Sequence, residues 1–140
     1  QSLSGHPVMT SVWDHDDRPD SQHVGLARWC DLFVVAPCTA DTLAKLAAGL
    51  TPDPVTLTAC ALPAETPLLL APAMNADMWA HPVVQRNLTT LRDLLPTLHE
   101  VGPDTGWQAC RTSGAGRMAE PEAILENIIG RICMGQNKSE

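Results

Sequence analysis

Two short apolar runs that have the pattern of buried strands constrain the fold of this chain more than any other feature. Residues 30–38, CDLFVVAPC, and residues 66–74, TPLLLAPAM, are apolar at both alternating sets of positions. Strands covered on both faces of a parallel sheet have this pattern. Between the runs, TADTLAKLAAGL predicts a helix with Thr39 as its N-cap and Gly49 near its end. Strand, helix and strand form a right-handed βαβ unit, which predicts an α/β fold with layers of helix and sheet.

The rest of the chain adds two helices, one weak strand and a long loop. Pro82 suits the first turn of a helix, and a clear apolar helical stripe follows Pro121. Residues 97–101, TLHEV, predict a weak strand, and the glycine-rich residues 102–120 lack any period and predict a functional loop. We expect residues 1–140 to be a single domain. Because three strands are few and the chain begins with Gln1, we also expect N-terminal strand(s) to be missing from this sequence.

Composition excludes several classes of function. Hydrophobic residues make up 44% of the chain and charged residues 18%, as in an ordinary globular domain. The net charge is −7 and Lys and Arg do not cluster, which argues against a nucleic-acid partner. No apolar run approaches the length of a membrane span. The five cysteines form no C-x-x-C pair, which favours reduced thiols in a cytoplasmic protein, and the histidines lack the spacing of a zinc site.

The carboxyl ends of the two strands predict a ligand site, because ligands bind open α/β sheets at that edge. The N-terminus of the following helix favours an anionic group there. Asn75 follows the second strand and offers a carboxamide that suits a carboxylate, although Asn is equally a common turn residue. Met78 and Trp79 also fit a place in the core. The residues at the two strand ends are Pro37, Cys38, Thr39, Ala40, Ala73, Met74 and Asn75.

Two further side chains are candidate acid–base groups. His23 precedes the first strand, and a histidine titrates near neutral pH, although a lone histidine is more often structural. Cys110 lies in the glycine-rich loop beside Arg111, whose positive charge favours the thiolate. Most cysteines of this kind only pack, so neither residue alone identifies a reaction.

Three segments in this order resemble the flavin-dependent cysteine decarboxylase family, that is, phosphopantothenoylcysteine decarboxylase-like flavoproteins. They are HVGLARWCDLFVVAPCTADTLAKLAAGL, APAMNADMW and ACRTSGAGRMAEP, and the resemblance runs from about Leu3 to the last helix. The family signature Pro-x-Met-Asn-x-x-Met-Trp is matched in full by Pro72, Met74, Asn75, Met78 and Trp79. The resemblance implies a Rossmann-like (flavodoxin-like) three-layer sandwich with a parallel sheet.

The resemblance also implies roles for individual residues. His23 would lie beside the flavin, and Cys110 would donate a proton from a substrate clamp within residues 103–120. The residues that would line FMN are Pro37, Cys38, Thr39, Ala40, Ala73 and Met74. The residues that would bind the substrate are Asn75, Met78, Trp79, Arg117 and Met118. No metal is implied.

The reaction implied is FMN-dependent oxidative decarboxylation of a small molecule with a C-terminal cysteine carboxylate. The substrate expected first is 4′-phospho-N-pantothenoylcysteine, which gives 4′-phosphopantetheine for coenzyme A. Cys38, Asp41 and Arg111 depart from the family pattern. These departures keep open a peptidyl-cysteine decarboxylase of peptide tailoring. A non-catalytic flavin-binding regulatory subunit is the third reading. The family further implies a cytoplasmic homotrimer or higher homo-oligomer.

Overall fold

A computed structural model describes residues 3, 5–13, 22–107 and 113–136. The described part of the chain contains helices and strands in an alternating order, with a hairpin before the last helix. These elements are α1 (Gln22–Trp29), β1 (Phe33–Cys38), α2 (Ala40–Ala48), α3 (Pro54–Cys60), β2 (Leu68–Pro72), α4 (Ala76–Ala80), α5 (Pro82–Leu94), β3 (Leu98–Glu100), β4 (Asp104–Trp107), β5 (Ser113–Arg117) and α6 (Pro121–Gln136).

The two strands predicted from the apolar runs and the weak strand predicted at residues 97–101 form one parallel sheet in the order β1-β2-β3. Leu68 pairs with Phe33 on one side and with Leu98 on the other, so β2 lies in the middle. All five residues of β2 are buried, which explains why its sequence is apolar throughout. The prediction of an α/β fold with a parallel sheet is confirmed.

Helices cover both faces of this sheet. On one face, Leu68 and Leu70 of β2 pack with Leu43 of α2 and Leu88 of α5. On the other face, Leu69 and its neighbours pack with Ile124 of α6. Each fully buried leucine contributes about 1.5–3 kcal/mol relative to an exposed one. Because successive side chains of β2 point to opposite faces, the sheet lies between two layers of helices. The predicted three-layer arrangement is confirmed.

Local capping signals place the helix ends. Thr39 caps α2, because its hydroxyl oxygen accepts a 3.2 Å hydrogen bond from the backbone N–H of Thr42. Gly49 ends the same helix in the left-handed region, at φ 66°, where glycine carries no Cβ penalty. Pro82 begins α5, and Nδ1 of His81 caps it by accepting from the N–H of Val83. The predictions for Thr39, Gly49 and Pro82 are confirmed.

Several elements differ from the sequence-based expectation. The helices α1 and α4 were not predicted. Nor was α3, which follows Asp53 as N-cap and is rich in threonine, a residue of modest helix propensity. A further difference lies within residues 102–120, which were expected to form a loop without regular structure. There β4 and β5 form an antiparallel pair in which Gly106 faces Gly114. Glycine is uncommon in strands, and the sequences DTGW and SGAGR do not alternate apolar and polar residues. The usual sequence signal for a strand is therefore missing here.

Candidate functional site

A backbone hydrogen bond joins the two strand ends that the sequence singled out. The N–H of Ala73 donates to the carbonyl oxygen of Cys38 at 2.9 Å. This contact continues the pairing of β1 with β2 to the carboxyl edge of the sheet. Residues 37–40 and residues 73–75 therefore lie side by side, as predicted.

A second backbone hydrogen bond brings the hairpin to the same edge. The N–H of Met74 donates to the carbonyl oxygen of Gly116 at 2.8 Å. Helix α4, which follows Asn75, also packs against β5. Three segments that lie far apart in the sequence thus form one cluster: APCTA (residues 36–40), PAMN (72–75) and GAGRM (114–118). We call this cluster, residues 37–40, 73–78 and 114–118, the strand-end site.

The first turn of α2 gives the strand-end site an electropositive end. Helix N-termini carry unpaired N–H groups and a partial positive charge that attract anions. Asp41 stands in this turn, but its carboxylate is exposed and pairs with Nζ of Lys45 at 2.7 Å. Lys45 also contacts Asp53 at 3.3 Å, and its hydrogen bonds to Asp41 and then Asp53 raise the pKa of its amine. The charge of Asp41 is therefore compensated on the helix surface.

Cys38 contributes backbone, not side chain, to this edge. Its side chain is completely buried in the core between the sheet, α2 and α5. Burial, and secondarily the carboxylate of Glu100, raises the pKa of the thiol from 9.0 to about 12. The thiol is accordingly neutral and inaccessible, and only the main chain of Cys38 can contact a ligand.

Asn75 is the N-cap of the short helix α4. Its Oδ1 accepts hydrogen bonds from the backbone N–H of Asp77 at 2.8 Å and of Met78 at 3.4 Å. The side-chain oxygen of Asn75 therefore has the local capping role that is typical of a turn asparagine. Since the oxygen end of the carboxamide is held by the helix, the nitrogen end is the one that suits a carboxylate oxygen.

The two large side chains of α4 point in different directions. Trp79 packs against the core on the α2 and α5 side, and its carbonyl oxygen accepts a 2.6 Å hydrogen bond from Nε2 of Gln85. Met78 is 48% exposed. Trp79 thus anchors the helix, whereas Met78 leaves a soft apolar surface exposed beside the strand-end site.

Arg117 and Met118 end the hairpin with different roles. The guanidinium of Arg117 pairs with the carboxylate of Glu120, and both side chains are about half exposed. Met118 is half-buried and packs against the core beneath α6. Arg117 is therefore the residue of this pair that supplies charge at the surface of the strand-end site.

Of the two candidate acid–base residues, only His23 lies within the described structure, and it is on a different element from the strand-end site. His23 is half-buried on α1, which packs mainly against α3. Within the described ranges, no hydrogen bond or ion pair connects His23 to residues 37–40 or 73–78. Cys110 lies outside the described residues, as does Arg111.

Two charged pairs near this edge were not predicted from the sequence. Lys45 lies four residues after Asp41, a spacing that places both on one helix face and was available as a signal. Arg92 of α5 binds Glu100 at the end of β3 through two hydrogen bonds of 2.8 and 2.7 Å. That pair joins residues of different elements, so no local pattern predicts it.

The part of the chain that the structure describes contains neither a membrane-spanning helix nor a metal-binding cluster. None of the helices there is long and apolar enough to cross a membrane. Its histidine, cysteine and acidic side chains also form no group of three or more that could hold a metal ion.

Comparison with known proteins gives the family. The Flavoprotein family model matches residues 1–133. The chain is 47% identical over 124 residues to the coenzyme A biosynthesis bifunctional protein CoaBC of Mycobacterium tuberculosis, covering 89% of this chain and 28% of that protein. It spans about a third of the length of two other curated relatives, which are 41% and 40% identical.

Two solved structures resemble this one closely. A mutant PPC decarboxylase complexed with pantothenoylaminoethenethiol has a TM-score of 0.75 and 36% identity, over 84% of this chain and 63% of that chain. The FMN-dependent cysteine decarboxylase SpaF has a TM-score of 0.70 and 35% identity, over 93% and 68%. The Rossmann-like fold implied by the sequence is thereby confirmed. With its strand-end site built from the three segments that define the resemblance, the chain belongs to the flavoprotein family.

Proposed function

We propose that this chain forms the flavin-binding and substrate-binding part of an FMN-dependent decarboxylase of a cysteine-derived carboxylate. The observation that carries the proposal is the pair of hydrogen bonds from Ala73 to Cys38 and from Met74 to Gly116. They assemble the three family segments into one site. The first substrate proposed is 4′-phospho-N-pantothenoylcysteine, and the similarity to PPC decarboxylase and to CoaBC supports it.

The residues at the strand ends fit FMN. The N-terminus of α2 offers open N–H groups to a phosphate, and Lys45 neutralises Asp41 beside it. Ala40 and Ala73 have small side chains and are both partly exposed at this edge, which suits contact with a planar ring. We assign cofactor contacts to Pro37, Cys38 through its backbone, Thr39, Ala40, Ala73 and Met74. Bound FMN would supply the two-electron oxidation of the substrate's cysteine side chain to a thioaldehyde, which accepts the electron pair left by CO₂, and would return two electrons for reduction of the enethiol.

The substrate would lie between α4 and the end of the hairpin. The carboxamide nitrogen of Asn75 would donate to the cysteine carboxylate, because the oxygen is already held by the helix cap. Met78 would cover the apolar part of the substrate, and Arg117 would attract its negative charge. Trp79 and Met118 would support these two residues from the core.

Two further groups would move protons. His23 would act as a base or orienting group at the flavin, and Cys110 would donate a proton to the enethiol formed by loss of CO₂. The second step separates full reduction from simple oxidative decarboxylation. The proposal for these residues rests on the family resemblance of their segments.

A peptide with a C-terminal cysteine is the second candidate substrate, and the departures from the family pattern at Cys38, Asp41 and Arg111 favour it. The similarity to SpaF, a cysteine decarboxylase, agrees with a substrate that ends in cysteine. The two candidates are distinguished by incubating the purified protein with phosphopantothenoylcysteine and, separately, with a cysteine-ended peptide. Products are identified by mass spectrometry. We expect CO₂ loss and full reduction with the first substrate only. Turnover of the peptide alone would replace the first substrate by the second, and turnover of neither would favour the non-catalytic flavin-binding subunit.

We further propose that the protein works as a cytoplasmic homotrimer or higher homo-oligomer. Large apolar side chains on the surface support self-association. Trp29 is 81% exposed, and Leu125 and Ile129 of α6 are more than half exposed. The free thiols of Cys30, Cys38, Cys60 and Cys133 suit a reducing compartment. Light scattering tests the assembly, and a stable monomer that retains FMN would contradict it.

A further inference from the structure

Strand β5 and the first turn of α4 approach each other more closely than a side chain would allow. A Cβ atom placed on Gly114 would lie 2.6 Å from Cβ of Ala76. Carbon atoms that are not bonded to each other normally stay about 3.5–4.0 Å apart. Since the Cβ of Ala76 is fixed to the helix backbone, it cannot rotate away.

The same approach is supported by main-chain bonding on the neighbouring residues. Met74 donates its N–H to Gly116 at 2.8 Å, two residues along β5 from Gly114. Asn75 lies between Met74 and Ala76 and caps α4 through Oδ1. Any residue larger than glycine at position 114 would push β5 away from Asn75 by about 1 Å.

Gly106 provides an internal comparison. It is the partner of Gly114 across the hairpin. A Cβ atom on Gly106 would lie 3.4 Å from Cδ of Arg117, which is an ordinary contact with a flexible side chain. Neither glycine has a φ in the left-handed region, so an alanine at either position is unstrained in its backbone. The requirement for glycine at position 114 therefore comes from the contact with Ala76.

We propose that Gly114 is a positioning residue whose missing side chain sets the spacing between Asn75 and the Arg117 end of the hairpin. This inference rests on the proposed function, in which the cysteine end of the substrate fits into that space. Gly114 does not touch the reacting atoms. Its effect is transmitted through β5 and the first turn of α4.

The experiment compares the wild type with four variants: Gly114→Ala, Gly106→Ala, Gly130→Ala, and the double variant Ala76→Gly/Gly114→Ala. We expect Gly114→Ala to lower kcat/KM on the order of 10²-fold, as a displacement of about 1 Å does in other sites. The activity control is Gly130→Ala in α6, where a Cβ atom would meet nothing within 4 Å, and it should stay within about twofold of the wild type. The double variant should recover most of the loss, because the new methyl group occupies the space that Cβ of Ala76 has left.

Two readouts separate positioning from general destabilisation and from failure of the proposed function. Flavin content should change no more in Gly114→Ala than in Gly106→Ala, and kcat/KM is compared well below the melting temperature of each variant. Hydrogen exchange of the Met74 amide should accelerate in Gly114→Ala, remain slow in Gly106→Ala and return in the double variant, whether or not the protein decarboxylates anything. Equal exchange in Gly114→Ala and the wild type would overturn the inference. An inactive wild type with the expected exchange pattern would overturn only the proposed function.

Discussion

The backbone N–H of Met74 donates to the carbonyl oxygen of Gly116 at 2.8 Å, which ties the end of β2 to β5. Met74 belongs to the PAMN segment and Gly116 to the GAGRM segment, so one hydrogen bond links two of the three segments of the family signature. The third segment is linked through Ala73 and Cys38 at 2.9 Å. The roles of Asn75 and of the N-terminus of α2 depend on this cluster.

Asn75→Asp should weaken substrate binding without unfolding α4. Aspartate is as good an N-cap as asparagine, so the helix is retained. The carboxylate of the variant would face the carboxylate of the substrate, and like charges at close range cost several kcal/mol when desolvated. We expect KM to rise at least about tenfold. The matched control is Asp77→Asn in the same helical turn, and unchanged KM in Asn75→Asp would remove Asn75 from carboxylate binding.

Lys45→Met should weaken the binding of FMN more than that of riboflavin. The change leaves Asp41, in the first turn of α2, without its cation, so that its uncompensated carboxylate would repel a phosphate at the N-terminus of this helix. A charge at a helix end is worth about 0.3–1 kcal/mol, so we expect the Kd for FMN to rise about two- to fivefold. Riboflavin lacks the phosphate and serves as the control ligand in the same fluorescence titration. Equal effects on both ligands would contradict a phosphate at this helix.

Cys38 should make the protein less stable at alkaline pH. The pKa of its thiol is raised from 9.0 to about 12 in the folded state. The unfolded chain therefore loses this proton first, and the free energy of unfolding falls as the pH rises from about 9 to about 12. Urea denaturation measures the slope, which should be smaller in Cys38→Ala than in the control Cys60→Ala. The same slope in both variants would show that Cys38 does not cause it.

His23→Asn should abolish CO₂ release while flavin content and melting temperature stay unchanged. This outcome requires His23 to act at the cofactor, because a purely structural histidine would change stability instead. The control is His81→Asn, which replaces one helix cap by another and should keep its activity. Retained turnover in His23→Asn would leave His23 with a structural role on α1.

Cys110→Ser should decarboxylate the substrate but fail to complete its reduction. Serine is similar in size to cysteine but far less acidic, so it cannot replace a thiol as proton donor. We expect an enethiol product two hydrogens lighter than that of the wild type, identified by mass spectrometry. Cys133→Ser, which changes an exposed thiol on α6, should give the normal product. Full reduction by Cys110→Ser at the wild-type rate would exclude this role.

Local signals in the sequence account for most of the fold. The strand β2 was predictable because all five of its residues are buried, and such residues must be apolar at every position. The strand β1 has the same apolar pattern, although Ala36 and Pro37 near its end are exposed. Thr39 and Gly49 were predictable because a cap acts within its own turn. The hairpin of β4 and β5 was not, since Gly106 and Gly114 leave no alternation of apolar and polar residues.

The geometry of the site depends on contacts between distant segments. No periodicity predicts that Met74 bonds to Gly116 or that Gly114 lies against Ala76. Both Met78 and Trp79 were predicted from the sequence to bind substrate. In the structure Trp79 packs against the core, whereas the side chain of Met78 is exposed. These relationships arise from tertiary packing, which overrides what the residue types alone indicate.

Release of CO₂ from carboxyl-labelled phosphopantothenoylcysteine tests the central claim most directly. The purified protein is first saturated with FMN, and flavin occupancy is verified by absorbance before the substrate is added. We predict labelled CO₂ in proportion to enzyme turnovers, with 4′-phosphopantetheine as the accompanying product. Full occupancy by FMN without labelled CO₂ from this substrate or from a labelled cysteine-ended peptide would contradict the assignment of the strand-end site as a decarboxylase centre.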